Sequence, residues 1–206
     1  NGAGKSTTIL MMLGLTDPTS GTVQVCGINS TRNPIQVREK VGYLPEDVGF
    51  YDDMTGIENL LYTARLNRIP EADAKNKAEE LLERVGLPVD TQKKAGKYSR
   101  GMRQRLGLAD VLIKQPEVIL DEPTSGIDPA GVQEFMDLIR QLREENGLTV
   151  LFSSHHLDQV QQICDRVGLF GGGKLLAEVN VNELQNEEHG LENMYNRYFG
   201  GGKSHE

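Results

Sequence analysis

The sequence predicts an α/β fold, a single domain in which a core of strands and helices is interrupted by a helical insertion. Three observations support this class. A glycine-rich turn opens a helix at the start of the chain, and short apolar segments alternate with segments of helical periodicity. Residues 46–115 show helical periodicity without a strand pattern. We therefore expect a core formed by 1–45 and 116–180, a helical subdomain at 46–115 and a tail at 181–206.

The opening stretch, residues 1–8, reads as the second half of a phosphate-binding loop, G-x-x-x-x-G-K-[ST]. Gly2 and Gly4 allow the backbone to curl so that successive N–H groups point toward one anion. Lys5 adds a positive charge for the outer phosphates, and Ser6 offers a hydroxyl oxygen of the kind that Mg²⁺ prefers. The alternative is a glycine-rich turn that only caps a helix.

In P-loop folds a buried strand precedes this turn, and the first fixed glycine of the motif would lie before Asn1. A central strand contributes on the order of 10 kcal/mol through its buried apolar side chains. We therefore expect the chain to be a fragment of a longer protein whose N-terminal strands are missing. We also expect residues 1–206 alone to fold poorly.

Bulk composition narrows the class of protein. The chain has 206 residues, 37% of them hydrophobic, and a net charge of -8. A surface with this charge is not expected to attract nucleic acid or anionic lipid. Apolar runs stay well short of the roughly 18 residues of a membrane span. Cys26 and Cys164 lie far apart without metal-binding spacing, so we expect both thiols to be reduced and packed.

Periodicity and turn residues predict the elements in order. β-branched or apolar runs bounded by glycine or proline predict strands at 22–25, 41–45, 118–120 and 149–153, the last three of them buried. They also predict a hairpin at 167–170 and 174–179. Apolar residues at helical spacing, with capping residues before and glycine after, predict helices. These helices follow Gly4, span 34–40, start at Thr55, Pro70, Ser99, Pro129 and Leu157, and end with one near 192–199.

Two acidic residues follow the strand predicted at 118–120. Asp121 and Glu122 would come to a phosphate site at the end of that strand, where P-loop enzymes hold magnesium and handle the attacking water. Asp121 would sit on the metal, and Glu122 would accept a proton from the water or orient it. The alternative is a polar turn after a strand.

Two further positions carry candidate chemistry. Ser99 is a good N-cap, and the free N–H groups of the helix that it opens can bind an anion, although an ordinary cap is the alternative. His155 follows the strand at 149–153 and can hydrogen-bond a terminal phosphate. The alternatives for His155 are simple exposure or metal binding with His156. Because adjacent side chains of an extended segment point opposite ways, we do not expect a chelating pair.

Taken together and in order, these segments resemble the nucleotide-binding subunit of an ATP-binding cassette (ABC) transporter. The resemblance covers nearly the whole chain. The matching segments are the Walker A loop at 1–8, the Q-loop at 43–46, the signature motif at 98–102, Walker B at 120–123, the D-loop at 125–128 and the switch histidine His155.

The resemblance implies a P-loop NTPase (RecA-like) core and two subunits that pair head to tail around two ATP molecules with Mg²⁺. It implies roles for the residues at the matching positions. Phosphate binding is implied for Asn1, Gly2, Ala3, Gly4, Lys5, Ser6 and Thr7, and contacts across the dimer for Ser99, Gly101 and Asp128. Metal binding is implied for Ser6, Asp121 and Glu46. Catalytic roles are implied for Glu122, His155 and Glu46.

The sequence departs from the family pattern at three positions. Glu46 stands where many members have glutamine, and Arg100 and Met102 replace the usual glycine and glutamine of the signature motif. The Pro45-Glu46 form, with the residues that follow it, is similar to exporter subunits of the ABC-2 class.

The resemblance thus implies ATP hydrolysis that powers export through a separate integral membrane permease, with the chain at the inner face of the cell membrane. A second nucleotide-binding subunit, identical or different, completes the implied assembly, and no nucleic-acid partner is expected. One alternative is a non-transport ABC ATPase that acts on ribosomes or DNA. Another is a catalytically weak regulatory cassette.

Overall fold

The computed structural model describes residues 2–89, 91–114, 117–184 and 190–199. Helices in this part of the chain are α1 Lys5–Met12, α2 Pro34–Lys40, α3 Gly56–Leu66, α4 Glu71–Arg84, α5 Arg100–Leu112, α6 Pro129–Asn146, α7 Leu157–Ile163, α8 Val181–Leu184 and α9 Gly190–Phe199. The strands are β1 Gln24–Val25, β2 Ile28–Asn29, β3 Val41–Leu44, β4 Glu117–Asp121, β5 Val150–Ser153, β6 Arg166–Gly171 and β7 Lys174–Asn180. The chain forms two compact units, one of residues 1–9 with 154–206 and one of residues 10–153.

A parallel sheet with the order β3-β4-β5 organises the larger unit, residues 10–153. Leu44 pairs with Leu120, and Asp121 pairs with Ser153, so the strands end at nearly the same level. In a parallel sheet the segments that follow the carboxyl ends of the strands start from one edge, where ligands commonly bind. The sheet therefore brings the segments after β3 and β4 to the same edge.

Helix α5 lies against β3 and connects the sheet to the helical part of the larger unit. The contact is close at Gly107, where an added Cβ would lie 2.4 Å from a terminal methyl carbon of Leu44. Leu44 and Leu106 are fully or almost fully buried, so the contact contributes to the apolar core. A larger residue than glycine at 107 would require the Leu44 side chain or α5 to shift.

Local capping explains where α3 and α5, two helices of the 46–115 region, begin. Thr55 accepts a hydrogen bond from the Glu58 N–H group, and the Glu58 carboxylate accepts one from the Thr55 N–H group, which forms a capping box. The Ser99 hydroxyl likewise accepts a hydrogen bond from the N–H group of Met102. The helix starts predicted at Thr55 and Ser99 are therefore confirmed.

The smaller unit contains the antiparallel hairpin of β6 and β7, and α7 and α9 pack against each other. Gly172 and Gly173 form the hairpin turn with φ angles of 55° and 76°. Two consecutive residues with positive φ are typical of a type I′ turn, whose twist matches that of the strands. The predicted hairpin and the predicted helix near 192–199 are confirmed, whereas α8 and strand β2 were not predicted.

Two expectations about burial are wrong. Strand β5 is an edge of the three-stranded sheet, and Leu151 on it is 41% exposed, so the strand predicted at 149–153 is not buried. Cys26 is exposed rather than packed, because it lies in the tight turn between β1 and β2 with a φ of 50°. Cys26 and Cys164 form no disulfide, and Cys164 is partly buried.

Candidate active site

The glycine turn at the start of the chain has the backbone conformation that the motif predicts. Gly2 and Gly4 have φ angles of 77° and 96°, in the region that favours glycine. Helix α1 begins directly afterwards at Lys5. The N–H group and the hydroxyl of Thr8 both donate to the Gly4 carbonyl, at 3.0 and 2.9 Å. Ser6 and Thr7 are exposed in the first turn of α1, where backbone N–H groups lack helical acceptors, and Asn1 lies outside the described residues.

The hairpin turn of the smaller unit lies against this glycine turn. The N–H group of Gly173 donates to the Ala3 carbonyl at 3.0 Å. A Cβ at Gly4 would lie 3.2 Å from the Cα atom of Gly173. Position 4 therefore needs glycine both for its φ angle and for this close approach, which is a reason for glycine that the motif alone does not supply.

Asp121 is buried at the carboxyl end of β4 and has two hydrogen-bond donors. The Ser153 hydroxyl donates to Asp121 Oδ1 at 2.5 Å, and the Tyr43 phenol also hydrogen-bonds the carboxylate. Burial raises the pKa of the Tyr43 phenol, and the Asp121 charge and its hydrogen bond raise that pKa further. The phenol therefore remains a donor at neutral pH, and the two donors hold the Asp121 carboxylate from β3 and β5.

Glu122 has a strained backbone directly after β4. Its φ angle is 47°, and residues other than glycine rarely adopt such a value because it costs of order 1–3 kcal/mol. The Glu122 N–H group donates to both the carbonyl and the hydroxyl oxygen of Ser153, at 3.1 Å each. Strain of this kind persists where the surroundings hold it in place, and it clusters at functional sites.

Glu46 follows β3 and lies at the same edge of the sheet. Its Oε1 atom accepts a hydrogen bond from the Ser125 hydroxyl at 2.8 Å. Its carbonyl accepts hydrogen bonds from Arg100 at 2.5 Å and Gln104 at 3.0 Å. The structure thus brings Glu46, the start of α5 and the segment after Glu122 together.

Ser99, Gly101 and Asp128 lie beside a cavity of about 400 Å³ between the N-terminal ends of α5 and α6. Ser99 caps α5, and Asp128 caps α6 by accepting a hydrogen bond from Gly131 at 3.1 Å. A Cβ at Gly101 would lie 3.8 Å from Ile127. Two helix N-termini therefore face one cavity, an arrangement that favours an anionic group. The capping role of Asp128 was not predicted.

The rings of His155 and His156 do not point in opposite directions, so that premise is wrong, while the expectation that the two residues do not chelate a metal stays a prediction. Their ring centroids are 4.0 Å apart with an interplanar angle of 39°. Strand β5 has ended at Ser153, and His156 occupies the N-cap position of α7, where its N–H group donates to the Ser154 hydroxyl at 3.0 Å. The described residues contain no group of three or more His, Cys, Asp and Glu side chains placed to hold a metal ion.

The candidate donors match a hard cation. Asp121 and Glu46 in the larger unit offer carboxylate oxygens, which Mg²⁺ prefers. Such sites commonly use one or two carboxylates together with substrate phosphates.

No helix among the described residues is long and apolar enough to cross a membrane.

Comparison with known proteins identifies the family of the chain. Residues 1–125 match the family model of the ABC transporter. The bacitracin transport ATP-binding protein BcrA of Bacillus licheniformis is 45% identical over 186 residues, which cover 90% of this chain and 60% of BcrA. The linearmycin resistance ATP-binding protein LnrL of Bacillus subtilis is 36% identical over 178 residues, which cover 86% of this chain and 57% of LnrL. The chain therefore spans about three fifths of the length of these curated relatives.

A solved structure shows the same architecture. The protein cbiO1 of Clostridium perfringens, described as part of the ABC transporter complex cbiONQ, superposes with a TM-score of 0.82 at 28% identity. The match covers 97% of this chain and 81% of cbiO1. The fold and the site thus define an ATP-binding cassette of the P-loop NTPase class. The chain belongs to the ABC transporter family, and the predicted α/β P-loop fold is confirmed.

Several residues of the site were not singled out by the sequence. Tyr43, Ser153 and Ser125 contact Asp121 or Glu46 although none of them had been given a role. Each lies on a strand or a segment adjacent to a predicted acid, so strand pairing was the signal that could have identified them. That pairing depends on the order of the strands in the sheet, which the sequence did not reveal.

Proposed function

We propose that the chain is the ATP-binding and ATP-hydrolysing part of an exporter that works through a separate membrane subunit. The observation that carries the proposal is the acid pair Asp121-Glu122 at the carboxyl end of β4. Asp121 is held by Ser153 and Tyr43, and Glu122 has a strained backbone. An ordinary polar turn after a strand requires neither feature.

Phosphate binding is assigned to the start of the chain, at Asn1, Gly2, Ala3, Gly4, Lys5, Ser6 and Thr7. The positive φ angles of Gly2 and Gly4 and the start of α1 at Lys5 support this assignment. Backbone N–H groups in the first helical turn, together with the helix dipole, favour the negative charge of a triphosphate. Lys5 adds a charged donor for the outer phosphates.

Metal binding and hydrolysis are assigned to acids after the strands. Asp121, Glu46 and the Ser6 hydroxyl would hold Mg²⁺, which offsets the charge of the phosphates. Glu122 would accept a proton from the attacking water as general base. His155 would donate a hydrogen bond to the terminal phosphate. The different backbone conformations of Asp121 and Glu122 support a division of roles between neighbouring carboxylates.

A second nucleotide-binding subunit would complete each site. Ser99, Gly101 and Asp128 would face the nucleotide of the partner across a head-to-tail dimer. The cavity of about 400 Å³ between the starts of α5 and α6 supports this assignment, because two helix N-termini make it attractive to phosphate. The assignment leaves open whether the second subunit is a copy of this chain.

Transport requires an integral membrane partner in this proposal. The helical subdomain at 46–115, set between core segments 1–45 and 116–180 and followed by a tail at 181–206, would receive that partner. The chain would then lie peripherally at the inner face of the cell membrane. The names of two relatives, which refer to bacitracin transport and linearmycin resistance, favour export as the direction.

The decisive variant is Glu122→Gln in the full-length protein with its membrane partner. The amide keeps the size of the side chain but cannot accept the proton of the water. We expect ATP hydrolysis to be lost while ATP-dependent pairing of the nucleotide-binding subunits remains. Phosphate release and size-exclusion chromatography with ATP measure the two properties. Glu83→Gln, an exposed carboxylate on α4, is the matched control and should keep full activity.

Two results would contradict the proposal. Turnover that survives Glu122→Gln would reject the general-base assignment. A full-length protein that neither binds nor hydrolyses ATP in the presence of Mg²⁺ would reject the function as a whole.

A further inference from the structure

The segment 46–52, which follows β3, is held by one face of helix α5. Arg100, Arg103 and Gln104 are spaced i, i+3 and i+4, so their side chains share a face of the helix. Arg100 and Gln104 donate to the Glu46 carbonyl, and Arg103 donates to the Val48 carbonyl at 3.1 Å. The start of α5 therefore determines the course of the backbone that carries Glu46.

Arg100 makes the widest set of these contacts. Its Nε atom donates to the Ser125 carbonyl at 3.1 Å, Nη1 to Asp47 Oδ1 at 2.8 Å and Nη2 to the Glu46 carbonyl at 2.5 Å. The planar guanidinium carries its donors in a rigid fork, so it can serve acceptors in different directions at once. A lysine ammonium on a flexible stem cannot reproduce that geometry.

The two backbone contacts matter more than the ion pair. Asp47 is 94% exposed in the pair with Arg100, and exposed ion pairs contribute little. The carbonyls of Glu46 and Ser125, in contrast, belong to two segments that are far apart in sequence. Arg100 binds both of them and passes close to Gly126, where an added Cβ would lie 3.7 Å from its side chain.

The same two segments also meet through their side chains. The Ser125 hydroxyl donates to the Glu46 carboxylate at 2.8 Å, and buried Gln104 supports the Glu46 carbonyl. Arg100 therefore holds the backbone on both sides of the hydrogen bond that orients the Glu46 carboxylate. Glycine, the usual residue at this place in the family pattern, carries no side chain and could make none of these bonds.

We propose that Arg100 is a positioning residue that orients the Glu46 carboxylate through a clamp on the backbone of Glu46 and Ser125. The clamp links the start of α5, with Ser99 and Gly101, to a proposed metal ligand. This inference rests on the proposed function, because it concerns how Glu46 meets Mg²⁺. This role explains why arginine can occupy position 100 of the signature motif, where the family pattern has glycine.

The test uses the full-length protein with its membrane partner and two substitutions at position 100. Arg100→Met keeps an apolar stem and removes the donors, whereas Arg100→Lys keeps the charge and loses the fork. We expect the Mg²⁺ concentration for half-maximal ATP hydrolysis to rise about tenfold in Arg100→Met. Arg100→Lys should recover little of that loss, because the positive charge alone does not orient Glu46.

Arg84→Met is the matched control for the loss of an arginine. Arg84 pairs with Glu145 at 2.5 Å and with Glu80, both outside segment 46–52, and its side chain is 28% exposed, close to the 34% of Arg100. Its Mg²⁺ dependence should stay within about twofold of the unsubstituted protein, well below the effect expected for a ligand-orienting residue.

Hydrogen exchange of the nucleotide-free protein provides a readout that does not depend on turnover. Amides in 46–52 and around Ser125 should exchange faster in Arg100→Met and at the original rate in Arg84→Met. A double-mutant cycle with Glu46→Ala sharpens the assignment. If Arg100 acts through the Glu46 carboxylate, Arg100→Met should cause no further shift in Mg²⁺ dependence once that carboxylate is removed.

Each outcome has a defined meaning. Unchanged Mg²⁺ dependence or unchanged exchange in Arg100→Met overturns the clamp, while Mg²⁺-dependent hydrolysis by the unsubstituted protein leaves the proposed function in place. A full effect of Arg100→Met in the Glu46→Ala background also overturns it. An unsubstituted protein without Mg²⁺-dependent hydrolysis overturns the proposed function and the inference with it.

Discussion

The hydroxyl of Ser153 donates a 2.5 Å hydrogen bond to the carboxylate of Asp121, and the two residues are register partners on β5 and β4. Ser153 also accepts a hydrogen bond from the N–H group of Glu122. One buried serine thus contacts both members of the acid pair. The geometry of the proposed active site depends on the neighbouring strand as much as on the strand that carries the acids.

Ser153→Ala is expected to weaken metal binding. It removes the donor that orients Asp121, and loss of such a partner typically costs 10- to 100-fold in metal affinity or activity. A titration of ATP hydrolysis with Mg²⁺ measures the effect. Ser30→Ala is the control, because Ser30 is also buried and donates to the Met12 carbonyl at 2.8 Å. The control should lose about 1 kcal/mol of stability without a change in Mg²⁺ dependence. Equal Mg²⁺ dependence in both variants would contradict this role of Ser153.

Tyr43→Phe is expected to reduce the fall in the free energy of unfolding that occurs as pH rises into the alkaline range. Burial, followed by the charge and hydrogen bond of Asp121, raises the pKa of Tyr43. The stabilising contribution of the neutral phenol is therefore fully present below the unfolded pKa of about 10 and is lost as pH rises through the folded pKa. Urea unfolding at about pH 8 and about pH 10.5 should show a smaller decline in Tyr43→Phe than in the parent protein. Parallel declines would mean that Tyr43 does not titrate as inferred.

Gly14→Ala is expected to destabilise the protein more than Gly147→Ala. Both glycines have positive φ angles, 62° and 63°, so alanine at either position costs about 1–2 kcal/mol. An added Cβ at Gly14 would lie 2.6 Å from the Ser30 carbonyl oxygen and from Pro34 Cβ, whereas none of the described atoms lies within 4 Å at Gly147. Overpacking should add about 1–3 kcal/mol at position 14 alone. Equal free energies of unfolding for the two variants would contradict the packing described there.

Asp110→Asn is expected to raise the free energy of unfolding, relative to the parent protein, more at neutral pH than at acidic pH. Burial raises the pKa of Asp110, with a smaller opposing effect from Thr63 and Lys114, and Oδ1 of Asp110 has no hydrogen-bond partner among the described residues. With a raised folded pKa, the contribution of Asp110 is present below its unfolded pKa and is lost as pH rises through the folded value. The difference in unfolding free energy, variant minus parent, should therefore be more favourable at about pH 7 than at about pH 4. A difference that is the same at both pH values would refute the expectation.

Local chemistry explains why so many helix boundaries were predictable. Thr55 and Ser99 cap their helices with side-chain oxygens, and Pro34 and Pro129 occupy the first turns of α2 and α6. Gly147 ends α6 in the left-handed conformation. Each of these signals acts within a few residues of the chain, so it can be recognised without knowledge of the fold.

Burial and side-chain contacts were less predictable because they depend on neighbours that are distant in sequence. Leu151 looked buried from its apolar run, yet β5 is an edge of the three-stranded sheet. His155 and His156 were expected to point in opposite directions, yet in the short segment between β5 and α7 their ring centroids lie 4.0 Å apart. In both cases tertiary structure determined a property that local pattern could not.

Sequence by itself determined the class of the fold, the order of most of its helices and strands and the positions of the candidate chemistry, because motifs and caps are properties of short segments. Tertiary structure decided what those positions contact. Ser153 and Tyr43 reach Asp121, and Arg100 reaches both Glu46 and Ser125, only because parallel strands align their ends and α5 lies across the segments that follow. The physical reason is that hydrogen bonds between distant segments depend on strand order and helix packing, which no short stretch of sequence encodes.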